Sequence, residues 1–188
     1  MSLDAYEDVA AVLDRIDDDT SYAPTGCVGW AVRDLVFHCA MDAQRALVAL
    51  HTPTDTAPDR DAVGYWQDWG DDPVGDDSGR RFARVSASMF SRWQQLRGLY
   101  AETTRAAAHA ASQADPEAVV ATQGHALRVA DLLSTLVVEA TVHHLDLVAH
   151  LDLPGPSQAS LTHTRHVVQA VATAEPGAEL ASRLPLLA

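Results

Sequence analysis

Residues 137–150 read VVEATVHHLDLVAH, a carboxylate, two adjacent histidines, an aspartate and a further histidine set into a run otherwise fit for a helical core. Buried polar groups cost free energy unless they are paired, so their arrangement decides how the chain is read. At about 100° per residue of helix, His143 falls about 40° from Glu139. Asp146 then lies about 20° to the other side and His150 about 20° away, whereas His144 turns about 140° away. Glu139, His143, Asp146 and His150 thus form a polar line beside Leu132, Leu136 and Leu147.

Glu139 and His143 have the i,i+4 spacing that brings two side chains together on a helix face. Carboxylate and imidazole both bind zinc, but a catalytic zinc takes three protein ligands and keeps a position open. The third ligand must come from another helix. His38 interrupts WAVRDLVFHCAMDAQRALVAL, residues 30–50, an otherwise amphipathic run. Around His38, Asp42 lies about 40° to one side and Arg45 about 20° to the other, a second polar line. Two such lines facing each other across a bundle satisfy each other and leave room for an ion. The same spacing also fits a surface pair, Glu139–His143, with His38 a hydrogen-bonded histidine at the core boundary.

At 188 residues the chain fits one domain with a substantial core, and 47% of it is hydrophobic. No run approaches the ~18 apolar residues of a membrane span. A formal charge of -13 and a pI of about 4.8 disfavour a nucleic-acid partner. The arginines of GRRFARVSASMFSRW, residues 79–93, follow an acidic segment and read as a solvated helix face. The N-terminus MSLDAYEDVAAVLDRIDDD is acidic, without a basic leader or apolar signal core, so a cytoplasmic protein is expected. All 13 basic residues are arginines. Cys27 and Cys39 match neither a metal knuckle nor a redox pair, and Cys39 reads as a small core residue.

Helical periodicity covers about residues 3–17, then Trp30 to about Leu50, about 80–112, about 129–151 and about 157–174. Ser157 is a cap for the last of these, which Pro176 and Gly177 follow. Residues 51–79 are long for a connection. Their Tyr65, Trp66 and Trp69 are expected at the rim or lid of a pocket. β-alternation is confined to Val119–Thr122. The expectation is an all-α protein, a four-helix bundle with an additional C-terminal helix, as one domain over residues 1–188.

The stretch APTGCVGWAVRDLVFHCAMD, residues 23–42, resembles the N-terminal signature of the mycothiol-dependent maleylpyruvate isomerase-like proteins, within the DinB-like metal-binding bundles. In that signature a Cys-Pro-Gly-Trp turn leads into a helix bearing a ligand histidine. The stretch VVEATVHHLDLVAHL, residues 137–151, resembles the second signature, and the likeness covers about residues 3–175. The resemblance implies a DinB-like fold, metal ligands at His38, Glu139 and His143, and Trp30 as packing anchor. Val28 replaces the usual proline, Ala31 stands where a hydroxyl cap is common, and the separate C-terminal domain of many isomerase members is expected to be missing.

The resemblance further implies a divalent metal, zinc first and nickel as an alternative, with mycothiol as the low-molecular-weight thiol. The thiolate would transfer to a small electrophile, or add reversibly across a conjugated double bond to isomerise it. A non-catalytic metal- or ligand-binding bundle and a metal-dependent hydrolase are the alternatives. Asp146 is a candidate for orienting a ligand histidine. Arg45 is a candidate for pairing with an acidic substrate or with Asp42. Asp42 and His150 are candidates for the cavity wall, and Cys27 reads as a turn residue rather than a nucleophile. His109, His125, His163 and His166 read as surface or boundary residues. The expected partners are the thiol and its electrophile, with a homodimer admitted and neither nucleic acid nor membrane.

Overall fold

Apolar residues spaced by three and four build most of this protein, whose computed structural model describes residues 3–68, 78–174 and 178–187. Trp69, Pro176 and Gly177 lie outside the described residues. The helices are α1 (Asp4–Leu13), α2 (Val32–Leu50), α3 (Ser78–Ser88), α4 (Trp93–Gln113), α5 (Val129–Val148) and α6 (Gln158–Ala174). Single-turn or tightened 3-10 segments cover Thr20–Tyr22, Gly64–Asp68 and Glu179–Leu187. Helices α1, α2, α4 and α5 pack as the bundle, with α3 against α2, α6 against α5 and Glu179–Leu187 against α6. The expected all-α architecture is therefore present. Among the described residues no helix is long and apolar enough to cross a membrane.

Helix α2 turns a row of small residues inward: Ala40, Ala43, Ala46 and Ala49 are all buried. Their size lets α4 approach closely, bringing Ala107 and Ala111 into the core beside Leu132, Leu133 and Leu136 of α5. Toward the other end, Leu13, Leu35, Trp93, Leu96 and Leu147 fill the space between the same helices. A third cluster, with Val138, Val142, Val167, Val171 and Leu187, closes α6 and the C-terminal segment onto α5.

Two features depart from the sequence-based expectation. The helix expected over about 80–112 is two helices, broken at Met89–Arg92. Arg92 is extended (φ -134°, ψ 140°), its N–H donates to Gln95 Oε1 at 3.2 Å, and the Trp93 N–H donates to Asp18 Oδ1 at 2.6 Å. These bonds satisfy amides that a new helix start leaves open, while buried Trp93 anchors the corner. The second feature is a hairpin. Strand β1 (Val119–Thr122) pairs antiparallel with β2 (His125–Arg128), Val119 opposite Arg128. Gln123 (φ 50°) and Gly124 (φ 83°) make the turn, both in the left-handed region that a two-residue hairpin favours.

The turn before α2 closes without the proline. Thr25 Oγ1 donates to the Trp30 carbonyl at 3.0 Å, and Gly29 takes a positive φ of 83°. The Asp34 carboxylate accepts the Ala31 N–H at 3.0 Å, and the Asp34 N–H that a hydroxyl cap would take donates to the Ala31 carbonyl instead, at 3.0 Å. Ser157 caps α6 as expected, its Oγ accepting the Ser160 N–H at 3.4 Å.

Candidate metal centre

Because α2 and α5 are neighbours in the bundle, their polar lines meet. The rings of His38 and His143 stand edge to face, 4.9 Å between centroids, and Trp30 covers the other side of His38 at 5.0 Å. His38 Nε2 lies 3.1 Å from Asp42 Oδ2. One donor atom each from His38, Asp42 and His143 falls within 4.8 Å of the others. Donors ~2.0 Å from a tetrahedral ion sit about 3.3 Å apart, so the His38–Asp42 separation suits two ligands of one cation. Burial pushes the His38 pKa down to about 4, with the neighbouring His143 and Arg45 opposing the pull of Asp42. The ring is therefore neutral at pH 7, the form that binds metal.

Two buried polar atoms at this point make no hydrogen bond: His143 Nδ1, and Asp42 Oδ2, whose one near neighbour is the His38 ring nitrogen at 3.1 Å. Buried polar atoms without a hydrogen bond are uncommon in folded proteins, and a cation between α2 and α5 is a natural partner for such a donor set. The other Asp42 oxygen accepts from Arg45. Gln123, at the hairpin turn, can satisfy both its neighbours in one orientation. Its oxygen then accepts from Arg45 Nη1 at 2.8 Å and Nε at 3.2 Å, and its nitrogen donates to Tyr65 Oη at 2.8 Å.

Glu139 lines the same cavity, about 180 Å³, with His38, His143, Trp66, Val142 and Leu180. Desolvation, then the charge of Asp42, raises its pKa well above the usual carboxylate range despite Arg45. It does not belong to the close donor set, in which Asp42 stands instead. The structure thus brings His38 and His143 together, places Glu139 in the wall beside them, and joins Arg45 to the site through Asp42. His150 departs from the expected line. Helix α5 ends at Val148, and His150 is exposed beyond it.

Asp146 sits one turn beyond His143, 3% exposed. Arg183 grips it with two bonds, Nη1 to Oδ1 at 2.7 Å and Nη2 to Oδ2 at 3.1 Å, and the Cys27 thiol donates to Oδ2 at 3.2 Å. Burial raises this carboxyl's pKa, but the surrounding donors and the Arg183 charge outweigh it and hold the pKa low. His143 Nδ1 is 3.6 Å from Oδ2, beyond hydrogen-bond length. The Gly26 N–H donates to the Asp146 carbonyl at 2.8 Å, and a side-chain carbon on Gly26 would come within 2.6 Å of Oδ1. Cys27, His143 and Asp146 also form a close set. With both carboxylate oxygens of that set already engaged, the His38–Asp42–His143 set is the better cation site. Burial, then the Asp146 charge, pushes the Cys27 thiol up to about 12.

Arg183 and Trp66 are site residues that periodicity does not reveal. Arg183 belongs to the 3-10 segment Glu179–Leu187, which has no helical face to follow in the sequence. Trp66 fits the expected aromatic rim, whereas its companion Trp69 is outside the described residues. His144 faces away from the site, its Nε2 3.1 Å from the Pro154 carbonyl.

Residues 3–148 match the sequence family of the mycothiol maleylpyruvate isomerase N-terminal domain. The crystal structure of a histidine-to-alanine mutant of the mycothiol-dependent maleylpyruvate isomerase is similar in fold, with a TM-score of 0.63 and 15% identity. The likeness covers 88% of this chain and 64% of that one, so the chain spans less than two thirds of that protein's length. Among curated proteins none matches.

Proposed function

The chain belongs to the family of the mycothiol maleylpyruvate isomerase N-terminal domain, and from that premise we propose a metal-dependent enzyme that turns a low-molecular-weight thiol, mycothiol first, on a small electrophile. The observation that carries the reading is the close set of His38, Asp42 and His143, in which Asp42 Oδ2 and His143 Nδ1 are buried without a hydrogen bond. His38, His143 and Asp42 would hold a divalent metal, zinc by donor chemistry, with Glu139, the carboxylate ligand that the family resemblance implies, in the wall beside them. Arg45 would balance the charge of Asp42. When bound, such an ion lowers the pKa of a thiol and favours the anion at neutral pH.

The chain's own residues do the rest. Trp66, Val138, Val142 and Leu180 make an apolar wall that excludes water from the thiol and its target. Asp146, held by Arg183, fixes the last turns of α5 and so the position of His143. The electrophile would either keep the sulfur, as in transfer, or release it after rotation about the former double bond, as in isomerisation. Cys27 stays protonated at neutral pH and serves the turn, not the chemistry.

Elemental analysis of tag-free protein tests the proposal. About one zinc per chain is expected, lost in His38→Ala and His143→Ala, while Cys27→Ser retains both the metal and thiol-dependent turnover. Substoichiometric metal unchanged by either histidine substitution would sink it.

A further inference from the structure

Tyr6 falls in the apolar rhythm of α1, between Leu3 and Val9, and is 6% exposed. Among the described residues, however, its buried hydroxyl makes no hydrogen bond. A buried hydroxyl left unpaired is costly, and phenylalanine would fill the same space without that cost. Burial first, then the charges of Glu139 and Asp42, push the Tyr6 pKa well above the usual phenol range. The hydroxyl therefore keeps its proton and remains a donor.

Tyr6 lines a cavity of about 10 Å³ together with Asp42, Glu139, His143, Val9 and Leu136. About 10–15 Å³ of such space holds one water, which needs two to four polar partners. Glu139 and His143 line the 180 Å³ metal pocket as well, so they form the partition between the two spaces. Asp42 and Glu139 are close enough that the charge of Asp42 raises the Glu139 pKa. Asp42 Oδ1 accepts from Arg45, whereas Oδ2 makes no hydrogen bond. An ionised carboxylate oxygen accepts at two lone pairs, so Oδ2 can serve a cation on one side and a donor on the other.

We propose that this cavity binds one water, which accepts from Tyr6 Oη and donates to the Asp42 and Glu139 carboxyls, making Tyr6 a positioning residue of the metal centre. The positioning role rests on the metal reading of His38, Asp42 and His143. Three hydrogen bonds are about the usual complement of a buried water. Its two protons lie between two carboxyls that otherwise repel, and the Tyr6 donor fixes its orientation. Asp42 then keeps Oδ2 toward the ion, and Glu139 stays in the wall rather than among the ligands. Tyr6 touches neither metal nor substrate; it acts by holding the carboxyls behind them.

High-resolution crystal structures of metal-free wild type and Tyr6→Phe test the water. One ordered water is expected within hydrogen-bond distance of Tyr6 Oη, Asp42 and Glu139 in wild type, and none there in the variant, which keeps the ring and its packing. Cobalt(II) tests the positioning. Tyr6→Phe should bind cobalt about tenfold more weakly or worse, as for other outer-shell losses, and its visible absorption bands should shift as the carboxyls around the ion move. Tyr100→Phe is the control. It removes a second hydroxyl from a residue lining the same cavity, one that donates to the Tyr6 carbonyl at 3.3 Å, and should leave affinity and bands as in wild type. A dry cavity in wild type overturns the proposal. So do an unchanged affinity and spectrum in Tyr6→Phe, or equal changes in both variants. Failure of wild type to bind cobalt sinks the metal reading and the positioning role with it, whereas a dry cavity beside normal cobalt binding sinks the water proposal alone.

Discussion

Asp146 decides the character of Cys27. Both carboxylate oxygens are engaged by Arg183, and one also accepts the Cys27 thiol proton. Ionising Cys27 would set a thiolate beside that carboxylate, inside a turn where Gly26 already leaves no room for a side-chain carbon. Burial first, and this carboxylate second, push the thiol pKa up to about 12. A thiol raised in the folded state adds stability that is fully present below the ordinary thiol range and is lost as pH rises toward that value. Iodoacetamide should therefore alkylate Cys27 in the native protein far more slowly at pH 8 than it does a free cysteine, whose thiolate fraction is roughly a thousandfold larger there. The rate should keep rising to at least pH 11. A plateau near pH 9, followed by mass spectrometry, would contradict the assigned environment.

At the scale of elements, the hairpin reaches the site through its turn. Gln123 stands between Tyr65 and Arg45, and Arg45 holds Asp42. Gly124 has a φ of 83°, which a side chain disfavours. Gly124→Ala should lower stability by about 1 kcal/mol in chemical denaturation; zinc affinity should fall with it as the Gln123–Arg45 contact loosens. No change in either would detach the hairpin from the site. This link is hard to read in the sequence. Periodicity reveals α2 and α5 and the meeting of His38 with His143, because one helical turn fixes which residues share a face. It does not reveal the Gln123 turn, whose cue is a single glycine, or the break before Trp93. There MFSR carries no glycine or proline, and the new helix start is secured by Asp18, far away in sequence. Asp42 enters the close donor set through its own side-chain conformation, which angular position alone does not specify.

Across the whole molecule, the tie between α5 and the C-terminal segment joins two parts that share no sequence pattern. Asp146 has its pKa held low, so it contributes stability present above the ordinary carboxylate range and lost as pH falls below it. Arg183→Ala leaves that buried carboxylate with the Cys27 thiol and no cation. The cost should be about 2–3 kcal/mol at pH 7, below the full value for a buried pair because the Arg183 side chain is 26% exposed. Urea denaturation at pH 7 and at pH 4 should show the difference between wild type and variant shrinking at the lower pH. A constant difference would mean that Arg183 acts by packing alone. The two partners are 37 residues apart in the chain. On a ribosome adding about 5–20 residues per second, Arg183 is made about 2–7 s after Asp146. Until Arg183 is made, the Asp146 carboxylate has no cation to be buried with, so the last turn of α5 is the part of the bundle that must wait for the tail. A chain cut short before residue 183 would carry that unpaired charge throughout its life.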